Sequence, residues 1–268
     1  VLLLQGLQLT FAGAIFDVDG VLVDSPHERA WRDTLRELME GDWRRLQPHT
    51  TYRPERFTSQ LYQERVAGKP RMAGALAVMH SFGVPSPETR AQEYADRKQR
   101  RVVELAEAGA FAAFPDALRF VLRLRAAGIL LATASSSKNA TLFLRAIRLD
   151  SFAADQNLRY DFLRPGTTLL DVVDADVSGR DFKRGKPDPE IFLTAAAELG
   201  AHPGLCFVVE DAVSGIAAAK AGGMDALGVA RADDRALLEA AGADLVVESM
   251  DQVDVAALAA RRLAAVNP

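Results

Sequence analysis

The chain has a single cysteine, Cys206, so no disulfide can close within it, and the composition fits a reducing compartment. Long apolar runs are absent. The opening stretch Val1 to Leu4 is far too short to span a membrane and lacks the basic flank of a secretory signal. There is no excess of positive charge either: 32 Lys and Arg stand against 36 Asp and Glu, a formal −4. That balance gives no general attraction to nucleic acid. No internal repeat, heptad run or low-complexity tract is present. What remains is a soluble chain, expected to be cytoplasmic and a monomer or weak homodimer, with neither membrane nor nucleic acid as partner. Hydrophobic residues make up 49% and charged residues 25% of the 268, enough to bury a sizeable core without staples.

The pattern along the chain changes twice. An apolar run from Leu9 to Phe16 stops at Asp17-Val18-Asp19-Gly20, which reads as a buried strand delivering two acids to a glycine turn. From Pro26 to Gly109 apolar residues recur at helical spacing, as in Trp31, Leu35 and Leu38, and no convincing strand is seen. Beyond Phe114 short strands alternate with helices. Strands are expected at Ile129–Thr133, Leu205–Val209, Ala226–Val229 and Asp244–Val247. Helices are expected at Asp116–Ala127, Lys138–Leu149, Pro189–Leu199 and Ser214–Ala221. Such alternation predicts an α/β fold, a Rossmann-like parallel-sheet core covered by helices. The core would comprise residues 1–25 and 110–268, with 26–109 inserted as an all-helical cap domain. Residues Phe152 to Leu170 show no clear period and are expected to form an irregular excursion.

Four groups of chemically capable residues fall at expected strand ends. Asp17 and Asp19, two apart, can face one pocket, where one carboxylate attacks and the other handles protons. Ser135-Ser136-Ser137-Lys138-Asn139 follows a strand and opens a helix, a place where hydroxyls and free N–H groups receive phosphate. Lys186 stands in Gly185-Lys186-Pro187-Asp188-Pro189, stiffened by two prolines, and can pair with a phosphate and with Asp17. Glu210 and Asp211 end the most apolar strand, where adjacent acids repel unless they share a cation such as Mg²⁺. Each group alone could be no more than a helix cap, a turn or a solvated lysine. Their gathering at one sheet edge argues for a phosphate-handling site.

These residues resemble the motifs of the haloacid dehalogenase superfamily, and within it the β-phosphoglucomutase-like branch. Phe16 to Ser25 looks like the first motif, Ser135 the second, Lys186 the third and Glu210-Asp211 the fourth, in that order. The resemblance covers nearly the whole chain. It implies Asp17 as nucleophile and Asp19 as general acid and base. It implies Ser135 and Lys186 as holders of the transferring phosphoryl group. Mg²⁺ would be bound by Asp17, the main-chain carbonyl of Asp19 and Asp211, with Glu210 nearby.

Finer features resemble the mutase branch. Ser136, Ser137, Lys138 and Asn139 are similar to the loop that grips a second phosphate. Gly68-Lys69-Pro70-Arg71 is similar to a cap loop whose arginine does the same, and His27 looks like a cap-hinge histidine coupled to Asp19. The substrate implied is a small phosphorylated metabolite, a sugar phosphate. Three departures stand beside this: a hinge about two residues shorter than usual, Gly74 where mutases often carry serine, and the Phe152–Leu170 excursion. A phosphatase of the same superfamily is the alternative. A carbon–halogen hydrolase would leave Asp19 without a task.

Overall fold

The computed structural model describes residues 10–266. The Val1–Leu4 run and Leu9, the expected start of the first strand, lie outside the described residues. Among the described residues eight strands form: β1 (Gly13–Phe16), β2 (Val23–Asp24), β3 (Ala112–Ala113), β4 (Leu130–Thr133), β5 (Ala175–Asp176), β6 (Cys206–Glu210), β7 (Asp225–Val229) and β8 (Leu245–Val247). Six of them build one parallel sheet in the order β5-β4-β1-β6-β7-β8. The chain steps from β1 outward to β4 and β5, then returns and builds the other half from β6. β1 and β6 are therefore the two strands flanking the switch point, where open α/β sheets bind ligands beyond their carboxyl ends.

Alternate residues of these strands enter opposite cores, as the strand period requires. Ala14, Phe16, Phe207 and Val209 join the cluster with Phe120 and Phe143. Ile15 and Val208 join the one with Phe192 and Ile216. The helices covering the sheet are α5 (Pro115–Ala126), α6 (Ala140–Ala146), α7 (Leu149–Asp155), α8 (Glu190–Glu198), α9 (Val213–Ala221), α10 (Arg235–Ala240) and α11 (Val255–Leu258).

Four helices precede them in the chain: α1 (His27–Glu40), α2 (Ser59–Arg65), α3 (Arg71–Ser81) and α4 (Pro87–Glu107). They share a separate apolar core of Trp31, Leu35, Leu38, Phe82 and Tyr94, in which the buried Tyr94 hydroxyl donates to the Trp31 carbonyl at 2.7 Å. The two crossings to this helical unit run side by side as the antiparallel pair β2–β3. No helix among the described residues is long and apolar enough to cross a membrane.

Two expectations need correction. The helix read as Lys138–Leu149 is two helices, α6 and α7, because Ile147 and Arg148 turn extended to meet the returning chain. Leu169 N–H donates to the Ile147 carbonyl at 2.9 Å and Leu149 N–H to the Thr167 carbonyl at 3.0 Å. The Phe152–Leu170 excursion is thus not wholly irregular. It begins inside α7, and its aromatic residues Tyr160 and Phe162 pack against the core. Strand β5 has no counterpart among the expected strands.

Candidate active site

The end of β1 shapes the site first. The Asp17 N–H donates to the Val209 carbonyl at 3.0 Å, extending the β1–β6 ladder one residue past Phe16. The chain then turns back: Gly20 N–H donates to the Val23 carbonyl at 2.8 Å, and Leu22 N–H to the Val18 carbonyl at 2.9 Å. Gly20 has φ +85°, and a Cβ there would lie 1.9 Å from Asp211 Oδ2. Only glycine permits both the left-handed turn and that approach.

Lys186 crosses from its proline-flanked loop to this edge. Its Nζ stands 2.6 Å from Asp17 Oδ1 and 2.6 Å from Glu210 Oε1, and all three side chains are buried. The other Glu210 oxygen accepts the N–H groups of Asp211 and Ala212, each at 3.0 Å, so Glu210 fixes the loop rather than capping α9. Burial pushes the Asp17 carboxyl up to about 7, Glu210 and Asp19 add to this, and Lys186 opposes it. Burial, with Glu210 and Asp17 close by, raises Asp211 well above the usual carboxylate range. The same two carboxylates hold the Lys186 ammonium above its ordinary value despite its burial.

Two buried carboxylates thus share one lysine, and the buried Asp211 lies close to both without pairing with it. Excess negative charge in a dry site is costly unless a cation compensates it. Hard oxygen donors in this arrangement fit Mg²⁺. Among the described residues no three acidic or imidazole side chains converge closely enough to hold a metal by themselves. A metal held here would need a donor besides these side chains.

Asp19, whose charge also reaches Asp17, has a different environment. Ser135 Oγ donates to Asp19 Oδ2 at 3.1 Å, and Ser137 N–H donates to Ser135 Oγ at 3.1 Å. His27 Nε2 lies 3.3 Å from Asp19 Oδ1 but is poorly aligned with it, and that oxygen is buried without a hydrogen-bond partner. Burial works against ionisation of Asp19, yet His27 and Ser25 hold it well below the usual range. Behind His27 stands Lys98 of α4, Nζ 3.1 Å from Nδ1 and 4.9 Å from the Trp31 ring centre. Burial brings Lys98 down to about 7; Asp19 counters this and Arg71 adds to it.

The helical unit touches the core along the serine loop. Ser136 Oγ donates to the Gly68 carbonyl at 3.3 Å, and Ser214 Oγ to the Ala67 carbonyl at 3.1 Å. Gln99 donates to Asn139 Oδ1 at 3.1 Å, leaving the buried Asn139 Nδ2 with no acceptor. Arg71 opens α3, half-buried, near enough for its charge to reach Lys98. Lys138 turns outward and pairs with Asp181 at 2.5 Å.

A family model for haloacid dehalogenase-like hydrolases matches residues 11–223. The chain belongs to that family. A β-phosphoglucomutase of Bacillus subtilis is 30% identical over 87% of either chain. A phosphorylated carbohydrates phosphatase of Thermotoga maritima is also 30% identical, over 87% of this chain and 92% of the relative. The solved archaeal β-phosphoglucomutase from Pyrococcus superposes with TM-score 0.64 and 31% identity, covering 92% of this chain and 96% of that one. Mutase and phosphatase relatives at equal identity make this a phosphotransferase or phosphatase of the family and leave the acceptor open.

Of the residues read from the sequence, Asp17, Asp19, Ser135, Lys186, Glu210 and Asp211 are brought together at one edge. His27, Gly68, Ser136, Ser137 and Asn139 meet across the contact between helical unit and core. Lys98, Ser214 and Tyr62 were not foreseen. Burial, then the nearby charges of Asp19 and Asp211, push the Tyr62 phenol of α2 well above its ordinary value. Apolar spacing on α2 was the only signal for it.

Proposed function

We propose that the protein transfers a phosphoryl group on a small sugar phosphate through a phosphorylated Asp17, with a second sugar hydroxyl as acceptor, as in a β-phosphoglucomutase. The observation that carries this reading is the buried Asn139 Nδ2, a donor without an acceptor at the end of the serine loop. An unpaired buried donor calls for an acceptor, and a phosphate oxygen is one that would serve. A site for a second phosphate, away from Ser135 and Lys186, distinguishes a bisphosphate-handling enzyme from a simple phosphatase. Arg71, Gly68, Ser136, Ser137 and Lys138 would line it once Lys138 leaves Asp181.

In the first half-reaction an Asp17 oxygen bonds to phosphorus, the bond to the sugar oxygen breaks, and Asp19 gives that oxygen a proton. In the second, Asp19 takes the proton of the acceptor hydroxyl, whose oxygen bonds to phosphorus and frees Asp17. The depressed Asp19 of the closed form is the carboxylate that the second half needs. Lys186 and Ser135 hold the phosphoryl oxygens, so most of the work is positioning and charge compensation. Asp17, Asp211 and the Asp19 carbonyl, with Glu210 nearby, would hold Mg²⁺, which would supply further neutralisation of those oxygens. Residues 26–109 act as a cap that excludes water while the phosphoenzyme waits. The buried thiol of Cys206 agrees with a cytoplasmic location.

The second reading is a sugar-phosphate phosphatase. It is favoured by the outward Lys138, which leaves the second phosphate one cation short. Phosphorus NMR separates the two. Protein, Mg²⁺, a β-hexose 1-phosphate and trace bisphosphate should give the 6-phosphate. Inorganic phosphate alone, with no isomer, would make it a phosphatase.

A further inference from the structure

The loop after β7 carries an arginine that the chemistry above does not use. Arg231 lays its guanidinium across the turn that follows Asp19. Nη2 donates to the Val21 carbonyl at 3.2 Å and Nε to the Gly20 carbonyl at 3.4 Å. Nη1 meets both carboxylate oxygens of Asp116, at 2.9 and 3.1 Å. The guanidinium carbon lies 3.9 Å from the centre of the Phe114 ring. Asp116 in turn accepts the Met250 N–H at 2.8 Å. One planar group therefore joins the turn after Asp19, the start of α5 and the chain beyond β8.

The same turn is gripped from its other side. Gly20 lies so close to Asp211 that no Cβ fits between them. A turn built on glycine is soft by itself, since no side chain limits its dihedrals. Charge-assisted hydrogen bonds to two successive carbonyls remove that freedom. A lysine, a single point charge, could not bond both carbonyls and the carboxylate in this fork.

We propose that Arg231 is a positioning residue: by holding the Gly20 and Val21 carbonyls it sets the place of the Asp19 carbonyl relative to the Asp211 carboxylate. The inference rests on the reading that those two groups hold the metal. Its loss would loosen a ligand pair without touching Ser135 or Lys186, so metal affinity and kcat should fall while KM for the phosphate substrate stays.

The test measures Mn²⁺ binding by electron paramagnetic resonance, with kinetics and melting curves, for Arg231→Lys, Arg231→Gln and Asp116→Asn in the full chain. Both Arg231 variants should bind Mn²⁺ roughly tenfold or more weakly, with a comparable loss in kcat. Asp116→Asn, which keeps the guanidinium but loosens its anchor, should fall between them and wild type. Wild-type Mn²⁺ affinity and kcat in the Arg231 variants, with only a lower melting temperature, would overturn the proposal and leave a packing role. If the Gln variant does not fold, the Lys variant decides by the same readings. A wild-type protein that binds no Mn²⁺ would sink the metal reading and this inference with it, an outcome distinct from equal binding by all forms.

Discussion

His27 Nε2 lies 3.0 Å from Ser137 Oγ, a contact between the first cap helix and the loop that carries Ser135. The two residues are 110 positions apart, one on the helical unit and one on the core. The same imidazole stands 3.3 Å from Asp19 and is held from behind by Lys98. Contact of the cap with the core and the protonic state of Asp19 are therefore parts of one arrangement, and a cap that opened would be expected to draw His27 away from Ser137. A histidine so placed can report to Asp19 that the site is shut.

Replacing His27 by alanine should therefore lower transfer more than binding. We expect kcat to drop about 10²-fold, the usual scale for a residue assisting acid–base catalysis, with KM changed far less. The share of phosphoryl groups released to water should rise. Isomer and phosphate measured together would check this. An unchanged ratio with an unchanged rate would show that the contact is incidental.

Lys186→Met leaves Asp17 and Glu210 buried without their shared cation. Removing one partner of a buried pair destabilises by about 3–5 kcal/mol, since the remaining charge has no compensation. Turnover should fall by roughly 10²–10³ as a phosphoryl-holding donor is lost. Asp17→Asn should abolish turnover outright while a phosphate analogue still binds. Rates near wild type in Asp17→Asn would end the covalent mechanism.

How far the sequence could be read depended on whether a residue's surroundings are local. β6 was legible because a strand covered on both faces is a run of apolar residues, and Cys206–Glu210 is fully buried. Asp17, Asp19 and Glu210-Asp211 were legible because acids ending such strands break an apolar pattern. β5 was not. It is two residues long, and Asp176 turns its carboxylate to the hydroxyls of Thr133 and Thr141, so its polar text describes hydrogen bonds rather than a loop. Lys98 lies in the run Arg97-Lys98-Gln99-Arg100-Arg101, which reads as a solvated face; yet only Lys98 turns inward over Trp31. The Asp116–Arg231 pair spans 115 positions and has no local signature at all.

Gly68 tests cap closure directly. It has φ +72°, and a Cβ there would meet Ser214 Oγ at 2.6 Å. Gly68→Ala combines backbone strain with a clash on the core side of the contact, and the first is of order 1–2 kcal/mol. The closed form should become less populated, raising KM and phosphate leakage while the separate cores stay intact. Trypsin digestion with Mg²⁺ and a phosphate analogue would show it, since protection expected in wild type should be lost. Equal protection in both would argue that the cap does not close on this loop.

Acid stability should carry the mark of Asp116. Burial raises its carboxyl, but Arg231 and the Met250 N–H outweigh this and hold it below the ordinary 3.8. A group depressed in the folded state stabilises fully above its unfolded value and loses that contribution as pH falls through the folded one. Asp116→Asn should therefore cost about 2 kcal/mol near neutral pH, the scale of a hydrogen-bonded charge lost from a largely buried site. Melting curves of the two proteins should stay a constant distance apart above the ordinary carboxylate value of 3.8 and converge only below it, as the depressed wild-type carboxyl is itself protonated. A gap that persists unchanged at the acid end would mean that the pair contributes through packing, and that its ionisation does not matter to the fold.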